Sequence, residues 1–152
     1  MLYSSIKWLH ILAAIVALGA NATYGIWLAR VRRNPEALAF TLKTIKLLDD
    51  RLANPAYGMS LVTGLLLVWV GPYPLSAPWL VVALVLYVSA ILLGLFGYSP
   101  VLRAQIRAAE TAGAGSAEYA VLSRRGTSLG IILAVIVVAI EFLMTTKPTL
   151  WG

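Results

Sequence analysis

Long apolar runs alternate with shorter polar ones along this chain. Four runs, at about residues 5–29, 56–71, 79–98 and 126–145, are almost free of charge. A helix needs about 20 apolar residues to cross the hydrocarbon of a bilayer, so the pattern predicts four transmembrane helices. Between the first two, Leu38, Leu42, Ile45, Leu48 and Leu52 recur at spacings of three and four, with Lys43, Lys46, Asp49 and Asp50 mostly off that stripe. Residues 36–53 therefore read as an amphipathic helix, either lying at the membrane surface or extending span 2 into the cytoplasm. Asn34-Pro35 and Asn54-Pro55 both have the form of a helix start, with Asn as the cap and Pro at the first helical position. Pro72, Pro74 and Pro78 make a short uncharged loop between spans 2 and 3. A second polar segment, Ser99 to Arg125, begins helically and breaks at Gly113-Ala114-Gly115-Ser116.

Composition fixes the class. Of 152 residues, 61% are hydrophobic and 12% charged, where a soluble domain carries about 25% charged residues. A chain this apolar cannot cover its own surface with polar groups, so lipid is its solvent. The fold class is an all-α, four-helix membrane bundle forming one integral domain over 1–152, with the amphipathic helix between spans 1 and 2. The net charge of +6 would raise nucleic acid as a partner in a soluble protein. Here 10 of the 12 Lys and Arg sit in 29–54 and 99–126, beside the spans, which is a topology signal. We expect those segments in the cytoplasm and both termini outside, in a bacterial inner membrane. Trp8, Trp69, Trp79 and Trp151 all fall at the expected outer interface, as an aromatic belt would place them. Lys7, an apolar core and Ala20-Asn21-Ala22 also have the form of a cleavable signal; we read the segment as a span that stays. With no cysteine, there is no disulfide, thiolate metal site or iron–sulfur cluster.

The polar groups inside the spans carry the candidate chemistry, because each is costly in lipid and so faces protein. They are His10, the only histidine, together with Asn21 and Glu141. His10 lies about five residues from the outer end of span 1, or ~7.5 Å deep; Glu141 lies about four from that of span 4, or ~6 Å. Matched depth suggests one shared outer-leaflet site, with spans 1 and 4 as neighbours closing the bundle. Asn21 is deeper and reads as an interhelical hydrogen bond. Met1, Met59 and Met144 are too scattered for copper transport, and one histidine is too few for a tetrahedral zinc site or a two-haem conduit. A single haem is open, with His10 as one axial ligand and Met144, Lys147, water or a second chain as the other. Two further groups are small: Thr63-Gly64 at mid-span 2, and Gly126 and Gly130 in a GxxxG spacing that suits close helix contact.

The start KWLHILAAIVALGAN, the pair Thr63-Gly64 after Asn54-Pro55, and the ending FLMTTKP at 142–148 resemble a family of bacterial four-span proteins, domain of unknown function 2269. The resemblance covers essentially the whole chain. That family looks distantly similar to the copper-resistance D membrane domain and to the membrane haem protein that oxidises protoporphyrinogen. In that oxidase a histidine early in the first span and a lysine closing the last are functional, and the matching positions are His10 and Lys147. The oxidase pattern of the middle spans is not recognisable here, and Glu141 has no counterpart. The resemblance implies a four-helix fold and haem b as the cofactor.

The leading expectation is a small haem b-binding, redox-linked membrane protein with its site in the outer half of the bundle. His10 would bind iron, Met144 or Lys147 would take the other axial position or pair with a propionate, and Glu141 would hold the far nitrogen of the imidazole. The rivals are a non-catalytic scaffold or subunit of a larger membrane complex, and a proton-linked transporter. The lipid bilayer is the certain partner class, with a homo-oligomer or larger complex open and nucleic acid excluded.

Overall fold

The structure is a computed structural model and describes residues 1–150. It is all helical, with no strand among the described residues. Four helices are long and apolar enough to cross a membrane: α1 (Leu2–Val31), α2 (Pro35–Val70), α3 (Pro78–Thr111) and α4 (Ala117–Thr146). Each of the four expected spans lies within one of them, save that span 2 ends at Val70, one residue early.

Helices α2 and α3 are longer than their apolar runs because neither stops where the sequence suggested. In α2 a tight turn at Pro35–Ala37 leads into α-helix Leu38–Leu48, a wider π turn at Asp49–Ala53, and α-helix Asn54–Val70. The joints keep right-handed helical torsions, with φ −63° and ψ −38° at Leu48 and φ −62° and ψ −44° at Asn54. Of the two readings of residues 36–53, this backbone is the continuous extension of span 2. Asn54-Pro55 is thus no helix start. Asn34 does precede the first turn of α2, but its side chain makes no capping bond.

The physical reason lies in the proline. Its ring presses on the carbonyl four residues back and it has no N–H to give, so in a regular helix it breaks the ladder. A π turn just before it admits an extra residue, shifts the bonding from i+4 to i+5, and lets the helix continue. Helix α3 uses the same device: a π turn at Leu93–Tyr98 directly precedes Ser99-Pro100. The polar segment after span 3 is therefore the continuation of that span as far as Thr111. There the chain does break, where expected. The N–H groups of Ala112 and Gly113 both return to the Ala108 carbonyl, at 2.9 and 3.1 Å. Gly113 takes φ +84°, which suits a residue without Cβ. Ser116 then caps α4, its hydroxyl accepting the Tyr119 N–H at 3.2 Å.

The chain divides into two compact units, Met1–Tyr73 and Pro74 onward. In the first, α1 packs antiparallel on α2 across a seam of small residues. Ala13 and Ala17 of α1 and Ala53, Ala56, Ser60 and Thr63 of α2 are all buried. In lipid, apolar area does not drive helices together, so close backbone approach and interhelical hydrogen bonds must hold the seam. In the second unit, α3 packs on α4. Its polar end is held by Gln105, whose amide donates to the Leu122 carbonyl at 2.8 Å. That amide sits where a Cβ on Gly126 would be, so Gly126 is the space that admits Gln105. Gly130 is looser, with Tyr98 Cε2 at 3.8 Å from a would-be Cβ.

The tryptophans divide. Trp8 and Trp69 are 65% and 83% exposed, as a lipid-facing belt requires, whereas Trp79 is buried at 9%. Trp151 lies outside the described residues.

Candidate functional site

His10 sits toward the start of α1, half-buried, on the face that also buries Ala13 and Ala17. Two atoms of α2 meet its Nδ1: the Ser60 carbonyl at 2.9 Å and Thr63 Oγ1 at 3.0 Å. Thr63 has one hydroxyl hydrogen, and two backbone carbonyls of its own helix accept it, Met59 at 2.7 Å and Ser60 at 3.2 Å. Its oxygen therefore turns a lone pair toward the ring, and the Ser60 carbonyl can only accept. Both partners of Nδ1 are acceptors, so Nδ1 carries the hydrogen. In the neutral imidazole that leaves Nε2 as a bare lone pair.

Gly64 makes the ring's position possible. A Cβ there would lie 3.1 Å from His10 Cε1, tighter than most side-chain contacts, so the ring would have to give by a few tenths of an ångström. The small pair Thr63-Gly64 thus does let another helix approach. What enters the gap is the imidazole, with Gly64 giving the room and Thr63 the acceptor. Ser60 and Met59, which act through their carbonyls, were not visible as site residues, because any residue type supplies that group.

Asn21 makes the interhelical bond expected of it. Its Nδ2 donates to the Tyr57 hydroxyl of α2 and to the Ala17 carbonyl of its own helix, each at 3.0 Å. The first unit's seam thus has two polar rungs, His10 with Ser60 and Thr63, and Asn21 with Tyr57.

The other candidates lie in the second unit. Glu141 and Met144 are half-buried near the end of α4, three residues apart and so on neighbouring positions of one face. Lys147 follows the last turn with φ +47°, the left-handed conformation that usually belongs to glycine at a helix end. Its N–H closes on the Leu143 carbonyl at 2.9 Å. Its Nζ stands 5.7 Å from the centroid of the Trp79 ring, a cation–π distance that ties the end of α4 to the start of α3.

The donor set has a definite chemistry. The described residues hold no group of three or more His, Cys, Asp or Glu able to hold a bare metal ion. A lone imidazole with a fixed tautomer suits a metal that brings most of its ligands with it, as a porphyrin does. Metal-binding histidines commonly donate their other ring N–H to a carbonyl, which orients the ring and raises its basicity. His10 and Ser60 have that arrangement.

No curated protein and no solved structure matches the chain. A family model does match residues 4–148, and on that match the chain belongs to the family described as "Predicted integral membrane protein (DUF2269)".

Proposed function

We propose that this integral membrane protein binds haem b through His10 Nε2 and works in electron transfer. The supporting observation is the fixed tautomer: Ser60 and Thr63 hold Nδ1 as N–H and leave Nε2 as the only lone pair on the ring. Bound haem would supply an iron that exchanges single electrons with a membrane-soluble donor or acceptor. The chain's own work is to aim the imidazole and raise its basicity through the Ser60 carbonyl. We place the protein in a bacterial inner membrane, with the basic segments at 29–54 and 99–126 inside and both termini outside.

A second reading has a supporting observation of its own. The same two bonds clasp α1 to α2, so His10 also fits a purely structural role in a scaffold or a subunit of a larger complex. An absorption spectrum separates the two. Purified protein supplied with haem and freed of the excess should show a Soret band distinct from that of free haem, and sharp visible bands on reduction. His10→Ala should lose both while keeping its helical circular dichroism. Wild-type protein that retains no haem contradicts the cofactor. A haem spectrum unchanged in His10→Ala would remove His10 as the ligand.

A further inference from the structure

A second titratable group is buried in the first unit and plays no part in the haem reading. Asp49 opens the π turn of α2 and is 9% exposed. It lies just before the uncharged stretch Asn54–Val70 that forms the span proper.

Its surroundings do not neutralise it with a cation. On its own helix, the nearest ammonium is Lys46, and Lys46 is bound to Asp50 in an i,i+4 ion pair. Asp50 adds a like charge next to Asp49. Asn54 offers a side-chain hydrogen bond. Helix α1, which packs on this turn, carries no charged residue between Trp8 and Ala29, where its titratable groups are His10 and Tyr24; its one cation past Ala29 is Arg30 in the last turn. Arg51, in the π turn itself, is exposed. Tyr57 is the titratable group on the following turns of α2. Burial in this setting pushes the Asp49 carboxyl above the usual carboxylate range, an effect larger than the opposing pull of Lys46.

We propose that Asp49 is a proton-binding site, a carboxyl that holds an exchangeable proton in the folded protein and takes no metal cation. The π turn supports this assignment. The turn packs against α1 and leaves Asp49 only 9% exposed, where an ionised carboxylate would have the Asn54 amide as a partner and would share Lys46 with Asp50. Lys46 stands between two acceptors one residue apart. With Asp49 neutral, Lys46 pairs with Asp50 toward solvent. When Asp49 loses its proton, the carboxylate competes for the same ammonium, and Lys46 must divide between them. The proton on Asp49 thus sets which way Lys46 turns.

The test uses the native chain in phospholipid nanodiscs and the apolar reagent dicyclohexylcarbodiimide. This reagent takes a proton from a carboxylic acid, adds the resulting carboxylate, and rearranges to a stable N-acylurea. It therefore marks carboxyls that are both protonated and in apolar surroundings. Peptide mass spectrometry should find the adduct on Asp49 at neutral pH and little on the exposed Glu36 and Glu118. Labelling should fall about tenfold per pH unit once the carboxyl ionises. Sodium at high concentration should leave it unchanged. Three outcomes would overturn the proposal: Asp49 labelled no more than Glu118, labelling indifferent to pH, or labelling suppressed by sodium. The last would assign the site to a metal cation. The measurement needs no haem, so it stands or falls separately from the cofactor.

Discussion

A would-be Cβ on Gly64 reaches 3.1 Å from His10 Cε1, and that contact is the tightest constraint on the candidate site. Gly64→Val should displace the imidazole and destabilise the first unit by about 1–3 kcal/mol, the usual range for overpacking. Denaturation of the purified protein in mixed micelles measures this. Thr63→Val keeps the shape but removes one acceptor at Nδ1 and the bond to Met59, for a loss of about 1 kcal/mol. Asp49 makes the pH dependence specific. Its carboxyl is raised in the folded state, so the fold holds that proton more tightly than the unfolded chain does. The stabilisation is complete below the ordinary carboxylate value and is lost as pH rises through the raised one. Asp49→Asn, neutral at every pH, should show a flatter stability profile over that window. An identical profile for the two proteins would contradict the buried, protonated carboxyl.

Helices carry the next set of constraints, and here the sequence was legible in an uneven way. The apolar runs located all four long helices, because burial in lipid demands an uninterrupted stretch and little else produces one. Helix ends were read less well. Asn54-Pro55 has the residue types of a start, yet a π turn over Asp49–Ala53 absorbs the proline and the helix runs on. A rule built on local residue preference does not register a compensating turn five residues earlier. Gly126 and Gly130 show the same limit. Their spacing signalled close approach correctly, but the partner at Gly126 is the Gln105 amide of the neighbouring helix. Gly126→Leu should accordingly destabilise far more than Gly130→Leu, which meets Tyr98 at an ordinary distance. Equal effects in thermal melts would mean that Gln105 does not occupy that space. Of the candidate site, His10 was evident as the sole histidine, and Thr63-Gly64 as a gap. Their union was not, because it depends on the register between α1 and α2.

At the scale of the whole molecule, the charge asymmetry predicts how the chain threads the bilayer. Reporter fusions within 72–76 should read as periplasmic and those within 113–115 as cytoplasmic; the reverse would contradict the basic-residue argument. Four apolar helices and membership of an integral membrane family make lipid the medium in which every polar contact must be satisfied. Because the entire chain holds one histidine, the intact protein can be interrogated through a single side chain. The nitrogen-15 spectrum of histidine-labelled protein in nanodiscs, without added haem, tests the account most directly. It should show one slowly exchanging ring N–H, assigned to Nδ1, and a second ring nitrogen at the position of a bare lone pair, Nε2. A proton on Nε2 with Nδ1 bare, or two nitrogens averaged by rapid tautomer exchange, would contradict it.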